Sequence, residues 1–336
     1  MGQRLREATT ANGVRIGYAL SGAGTPLLYV GGWLSHLELS WALPAERGFY
    51  EALGDGRTLV RYDKPGCGLS GPAQFPYTME QELDALAAVA DGLGRCELMG
   101  ISAGAAVAVA WAARHPETVA RLVLYGGWAY GPDVASPEIQ RHVTGLVREH
   151  WGLASDLLAE VFAPDTDGPT RAAFRRYQRD SAPAATAAAM LAMAYRVDVR
   201  DLLPRVSAPT LVVHRERDRA APLAEGRRLA EGIPGARFEV LPGRSHLPYI
   251  GDGAALTRVV RRFLGLPGRH RGAAATLTAR QREVAALIAE GCTNRQIGER
   301  LGITERSAEA HVERIRLRMD FRSRAQIAAW HVATAN

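Results

Sequence analysis

Gly100-Ile101-Ser102-Ala103-Gly104 sets a serine between two glycines, where the apolar run Cys96–Gly100 gives way to a helical pattern. A turn this tight lifts a hydroxyl clear of a sheet, and the new helix aims backbone N–H groups at any negative charge that forms beside it. The chemistry on offer is acyl transfer through an activated serine. A glycine-flanked structural turn would give the same five letters, so the partners decide. Asp218, in Arg217-Asp218-Arg219, follows the run Thr210–His214, and His246, in Gly243-Arg244-Ser245-His246, follows Arg237–Leu241. Both fall in loops at the carboxyl ends of expected strands, where open α/β sheets build their sites. His246 is expected to take the proton of Ser102, and Asp218 to fix the imidazole tautomer. Asp198 and Asp201 compete for the acid role. The other eight histidines, His36, His115, His142, His150, His214, His270, His311 and His331, lack this placement and read as surface or packing groups.

The elements that must hold these residues alternate short apolar runs with helical patterns, the signature of an α/β fold with a mainly parallel sheet. Asn12-Gly13, between Glu7–Thr10 and Val14–Leu20, reads as a hairpin turn at an antiparallel edge. Buried strands are expected at Leu27–Val30, Thr58–Tyr62, Cys96–Gly100, Leu122–Tyr125, Thr210–His214 and Arg237–Leu241. The stretch of about 130–206, rich in Ala and Arg with proline breaks, is too long for a bare loop and is expected to form a helical cap. Gly265-Leu266-Pro267-Gly268-Arg269-His270-Arg271-Gly272 breaks the pattern, so the chain divides into 1–266, a linker at 267–273, and a second domain at 274–336.

With the Ser, acid, His order in place, residues of about 12–266 resemble the α/β-hydrolase superfamily. Asp63-Lys64-Pro65-Gly66-Cys67-Gly68-Leu69-Ser70 is similar to its D-x-x-G-x-G-x-S turn, Ser245–Asp252 to its histidine loop, and Gly31-Gly32-Trp33 to its oxyanion loop. The resemblance implies that the backbone N–H groups of Trp33 and Ala103 form the oxyanion hole. One departure is Gly31-Gly32 where the family commonly has His-Gly, which leaves the N–H donor but alters its loop support. Trp33, Trp128, Tyr130, Trp151 and Tyr249 are candidates to line an apolar acyl or lactone pocket, with Trp128, Tyr130 and Tyr249 foremost; a core aromatic is the competing reading for each. Ester, lactone, thioester and carbon–carbon hydrolysis all remain open, and none of them requires a metal or an organic cofactor.

From Thr278 the apolar period changes: Val284, Leu287 and Ile288, then Ile297, Leu301 and Ile303, recur at helical spacing. Thr278 with Gln281, Thr293 with Gln296, and Ser323 with Gln326 read as capping boxes, while Gly291 and Gly302 stand at helix ends. A small all-α domain of four helices is expected, its third opening at Thr304. Leu277-Thr278-Ala279-Arg280-Gln281-Arg282-Glu283-Val284, Gly291–Gly298 and Ile303–Ser307 with His311-Val312 resemble the LuxR-type (GerE-like) helix-turn-helix family over about 274–334. That resemblance implies double-stranded DNA as partner and contacts from Asn294, Thr304, Arg306, Ser307, His311, Arg314 and Arg318. Glu309 stands where many members carry Lys.

Charge distribution agrees with that division. The net charge is +6, and residues 269–336 hold 12 Arg against 7 acids, the footprint of a module for a polyanion. Three distant cysteines form no CxxC pair, and Met1–Arg6 leads into no apolar run, so a soluble cytoplasmic protein with reduced thiols and no membrane segment is expected. The leading functional expectation is a homodimeric regulator of transcription whose hydrolase domain binds, and turns over, a small apolar ester or lactone. Its rivals are a serine hydrolase whose C-terminal bundle only dimerises, and a sensor that keeps the triad without turnover.

Overall fold

A computed structural model describes residues 2–164, 166–266, 277–319, 321 and 323–334, without the side chains of 317, 318, 333 and 334. Two compact units result, Met1–Leu266 and Pro267–Asn336. The expected linker at 267–273 lies outside the described residues.

In the first unit β1 (Arg4–Thr9) and β2 (Arg15–Gly22) form the expected antiparallel hairpin, pairing Arg4 with Leu20 and Thr9 with Arg15. Gly13 turns it at φ 78°, a conformation that suits glycine. β3 (Thr25–Val30), β4 (Arg57–Tyr62), β5 (Cys96–Ile101), β6 (Val119–Tyr125), β7 (Thr210–Arg215) and β8 (Arg237–Leu241) complete one sheet in the order β1-β2-β4-β3-β5-β6-β7-β8. From β4 to β8 every neighbouring pair is parallel.

Strand alternation divides the core into two layers. Leu28, Val30, Val60, Leu98, Leu122, Leu124 and Val212 face α3 (Met79–Ala90), α4 (Ala103–Arg114) and α9 (Leu223–Gly232). Leu27, Tyr29, Leu59, Met99, Val123, Tyr125 and Val213 face α2 (Pro44–Leu53) and α10 (Gly253–Phe263). A short α1 (Leu37–Ala42) precedes α2. Burial of β8 departs from expectation, since Leu241 alone among its residues is fully buried. It is the last strand of the sheet, so Arg237 and Glu239 meet solvent; an apolar run at an edge needs only part of its length covered.

Between β6 and β7 the chain builds four helices, α5 (Pro137–Glu149), α6 (Trp151–Phe162), α7 (Gly168–Ser181) and α8 (Ala184–Arg196). Ser136 caps α5 by accepting the Ile139 N–H, and Asp167 caps α7 by accepting from Thr170 at 2.8 Å. Their apolar residues, among them Val147, Leu158, Ala187 and Met190, pack with Trp33 and Leu34 of the loop after β3.

The second unit holds α11 (Ala279–Ala289), α12 (Asn294–Leu301), α13 (Glu305–Met319) and α14 (Arg324–Thr334) around Leu277, Val284, Ile288, Ile297, Ala308, Val312, Ile315 and Ile327. The capping boxes at Thr278/Gln281 and Thr293/Gln296 both form. Gly302 ends α12 at φ 63°. A Cβ at Gly298 would lie 2.7 Å from the Ile303 carbonyl, so the turn between α12 and α13 needs glycine there. None of the described helices is long and apolar enough to cross a membrane.

Candidate functional site

Ser102 sits between β5 and α4 at φ 54° and ψ −127°; among the described residues no other non-glycine has positive φ. Such a conformation costs roughly 1–3 kcal/mol and persists only where its surroundings enforce it. Here the Ser102 N–H donates to Tyr125 at 2.8 Å, and its carbonyl accepts from Ala105 at 2.9 Å. A Cβ on Gly100 would stand 2.7 Å from both Ala105 Cα and Ala108 Cβ, and one on Gly104 would collide with the Gly31 carbonyl. The two glycines let α4 lie close against β5 and the loop after β3.

His246 Nε2 is 2.7 Å from Ser102 Oγ, and His246 Nδ1 is 2.8 Å from Asp218 Oδ2. Asp218, whose side chain is wholly buried, also accepts the N–H groups of Ala220 and Ala221 at 2.8 and 3.2 Å through Oδ1. Burial alone would raise its pKa; the adjacent His246 and these hydrogen bonds outweigh that and hold the carboxyl below its usual range. The competing acids stay on the surface, Asp198 tied to Arg200 at 2.7 Å.

His214, read from sequence as a surface or packing group, is fully buried, its Nε2 3.0 Å from the Ala221 carbonyl and 3.9 Å from Asp218. Desolvation lowers its pKa and keeps it neutral beside the acid. Buried Arg215 holds the histidine loop from both ends, donating to Pro242 at 3.1 Å and Ile250 at 2.8 Å, and to the Tyr125 hydroxyl at 2.9 Å.

The expected oxyanion donors flank the serine. Ala103 is the first residue of α4, so its N–H has no partner within the helix. The Gly31-Gly32-Trp33 loop passes so near that a Cβ on Gly32 would lie 3.4 Å from Ser102 Cβ.

A pocket with about 580 Å3 of empty space, part of it open to solvent, stands over Ser102. Its walls include Trp33, Leu34, Phe162, Phe174, Tyr177, Leu247 and Tyr249, with Tyr29 and Glu46 also in the lining. Of the aromatic candidates Tyr249 and Trp33 reach it; Trp128 and Tyr130 do not. Trp128 is buried in the sheet core with its indole N–H on the Ala194 carbonyl at 3.1 Å, and Tyr130 lies under the Arg200 guanidinium at 3.8 Å. Both follow β6 closely in sequence, but the chain turns them toward the base of α8 rather than over the serine. Trp151 packs on Trp33 at 5.7 Å, behind the lining. The sequence reading missed Glu46, Phe162, Phe174 and Tyr177.

In the second unit α13 has two unlike flanks. Ser307, His311 and Arg314 recur at helical spacing on one side of the buried stripe Ala308-Val312-Ile315, and exposed Glu305, Glu309 and Glu313 recur on the other. Thr304 Oγ1 accepts the Ser307 N–H at 3.1 Å, so it caps α13 as well as facing outward. Arg306 is exposed at the start of the helix. Half-buried His311 has its pKa lowered by desolvation, then by Arg314 and Arg280. The Arg324 guanidinium donates to Asn294 Oδ1 at 2.6 Å, tying α12 to α14. The Arg318 side chain lies outside the described residues.

A parallel α/β sheet with a strained serine at the carboxyl end of a central strand, a histidine and a buried acid on it, and a helical bundle following, defines the class of protein. Residues 27–260 match the alpha/beta hydrolase family and residues 275–331 the bacterial regulatory proteins of the luxR family. The chain belongs to the alpha/beta hydrolase family, and it carries a C-terminal LuxR-type helix-turn-helix domain. It is 29% identical over 212 residues to a pimeloyl-[acyl-carrier protein] methyl ester esterase of Neisseria meningitidis serogroup C, covering 60% of this chain and 81% of that one. To a 2-hydroxymuconate semialdehyde hydrolase of Pseudomonas putida it is 30% identical over 233 residues, 62% of this chain and 77% of that one. The enol-lactonase of Burkholderia xenovorans LB400 superposes with a TM-score of 0.68 at 26% identity, over 77% of this chain and all of that one.

Proposed function

We propose that this protein is a cytoplasmic, homodimeric, DNA-binding regulator of transcription whose hydrolase domain binds and hydrolyses a small, largely apolar ester or lactone. The observation that carries the enzymatic half is the continuous hydrogen-bonded line from Ser102 through His246 to Asp218. Ser102 Oγ attacks the carbonyl carbon as its proton passes to His246 Nε2; Asp218 stabilises the imidazolium, and the N–H groups of Trp33 and Ala103 take the oxyanion. Collapse returns that proton to the leaving alkoxide, leaving an acyl-serine that water, deprotonated by the same histidine, then hydrolyses. The esterase and lactonase relatives support an ester or lactone substrate. The DNA half rests on the luxR-family match and on the exposed Arg306 and Arg314 of α13, with Ser307, as contact residues.

The test uses the full-length protein. Wild type is expected to hydrolyse nitrophenyl acetate and to be labelled on Ser102 by a serine-reactive phosphonate, and Ser102→Ala to do neither while still binding duplex DNA. No label and no rate above that of Ser102→Ala would leave a sensor without turnover; absent DNA binding would leave a hydrolase with a dimerising bundle.

A further inference from the structure

Glu46 is an acid on the wrong face of its helix. In α2 it shares a side with Tyr50 and Leu53, at spacings of four and seven residues, and that side faces the core. Glu46 is only 5% exposed. One carboxyl oxygen accepts the Tyr50 hydroxyl at 2.6 Å, while the other, Oε2, is buried with no hydrogen-bond partner. A buried acceptor left in this state forfeits its hydration without replacement, so an unpaired Oε2 calls for a reason.

Neighbouring groups do not supply one. Arg61, buried beside Tyr50, stacks its guanidinium 3.9 Å over that ring and donates to Ser40 at 3.0 Å and to Gln3; among the described residues it makes no ion pair with Glu46. The Tyr249 hydroxyl lies close enough to share hydrogen-bond character with the carboxyl and to lower its pKa, but no partner meets full hydrogen-bond geometry with Oε2.

Position supplies the reason. Glu46 lines the pocket over Ser102, and it also lines an adjoining cavity of about 360 Å3 of empty space, part of it open to solvent, that shares Tyr29, Gly32, Leu34 and Tyr177 with that pocket. The far side of the second cavity includes Tyr62 and Asp63, each buried and each with a polar atom, Tyr62 Oη and Asp63 Oδ1, that has no partner. Glu46, Tyr62 and Asp63 line one space next to the reacting serine, and they make a polar recess at the end of an otherwise aromatic chamber.

We infer that Glu46 forms a specificity subsite that receives a hydrogen-bond donor, a hydroxyl or an ammonium group, carried by the ester or lactone at the end remote from the reacting carbonyl. This rests on the reading of the Ser102 pocket as an ester or lactone site, and it narrows the ligand class from an apolar chain to an amphiphilic one. The aromatic walls hold the apolar span, and the donor completes the valence of Oε2.

Binding is measured by calorimetry, at a pH above about 7 where Glu46 is ionised and Oε2 is an acceptor, on full-length Ser102→Ala protein with a series of methyl esters that differ only at the remote end: methyl, methoxy, hydroxyl or ammonium, each at several chain lengths. At the best length a hydroxyl or ammonium end is expected to bind at least about tenfold tighter than the methyl end, and methoxy, which donates nothing, to show no gain. Adding Glu46→Leu should bring that ratio to about one. Glu46→Gln keeps an acceptor for a hydroxyl but loses the charge, so it separates the two donors. Equal affinity across the series, a gain that survives Glu46→Leu, or no binding of any member would overturn the subsite. If the Glu46 variants fail to fold, the series on Ser102→Ala alone decides. Wild-type hydrolysis of nitrophenyl acetate reports separately on the site: turnover without end-group preference removes the subsite and leaves the hydrolase, whereas preference without turnover leaves the subsite in a sensor.

Discussion

The carbonyl of Phe162, the last residue of α6, accepts the backbone N–H of His246 at 2.9 Å. It accepts the Ser245 hydroxyl at 3.0 Å as well, and the Phe162 ring lies 5.5 Å from the imidazole. The histidine loop is thus held by the cap as well as by the sheet, and the cap segment that lines the pocket also positions His246, the proposed general base. Phe162→Ala removes the ring from His246 and from Trp33, at 6.3 Å, while the carbonyl stays. Hydrolysis of nitrophenyl esters should fall at least about tenfold in kcat, with a smaller change in KM, because a misplaced base costs transition-state stabilisation more than ground-state binding. A change confined to KM would show that the ring only lines the pocket.

Asp218→Asn keeps shape and removes charge. The amide would present the wrong hydrogen-bonding group to His246 Nδ1 and no counter-charge for the imidazolium, so kcat/KM should drop by at least about a hundredfold. Measured against Ser102→Ala, the variant should keep some activity over background. A loss below tenfold would mean that Asp218 is structural.

Two buried carboxyls give stability opposite dependences on pH. Burial raises Glu46 from 4.5 to about 7, although Tyr50 and Arg61 pull the other way. The folded state therefore keeps a proton that the unfolded chain has lost, and this contribution, on the order of 3 kcal/mol at most, is complete below about pH 4.5 and is lost as pH rises through about 7. Asp218 is held low, so its contribution is present at neutral pH and lost on acidification below the ordinary carboxylate range. Glu46→Gln should reduce the fall in Tm between about pH 5 and about pH 8. An unchanged slope would show that Glu46 is not the titrating group.

Much of this was legible in the chain because the relevant signals are local. Ser102, Asp218 and His246 each follow an apolar run directly, and the sheet brings the ends of its parallel strands to one rim, so their order in sequence was enough to join them. Gly298 and the capping boxes act within a few residues. The pocket walls were not legible: Phe162, Phe174 and Tyr177 come from cap helices whose packing over the serine depends on tertiary contacts with Trp33 and Leu34. Trp128 and Tyr130 misled for the same reason, being near the site in sequence but turned away by the chain. Glu46 had a readable signal, since its spacing from Tyr50 and Leu53 places an acid within an apolar stripe.

Arg306, exposed at the start of α13, leads to a prediction on DNA affinity. Arg306→Ala in the full-length protein should weaken binding by about tenfold and reduce the salt slope by about one, as one phosphate contact and its released counterion are lost. Glu309→Lys, on the acidic flank, would strengthen non-specific binding if that flank faces the backbone. An Arg306→Ala protein with unchanged affinity and slope would move the interface off this helix.

Carriage of a small-molecule pocket and a DNA-binding domain on one chain leads to a prediction about their equilibrium. A ligand that favours the DNA-competent arrangement of the proposed homodimer must raise DNA affinity by the same factor by which DNA raises ligand affinity, because the two bindings share one thermodynamic cycle. A working switch needs a factor of about 5–150, or roughly 1–3 kcal/mol. The Ser102→Ala protein allows both legs to be measured without turnover: ligand affinity with and without duplex DNA, and DNA affinity with and without saturating ligand. The two factors are expected to agree and to exceed about fivefold for a ligand that fills the pocket. The nitrophenyl esters used for turnover would show less, since they leave the Glu46 end empty. Factors of one in both legs, for every ligand that binds, would mean that the hydrolase domain and the LuxR-type domain work independently.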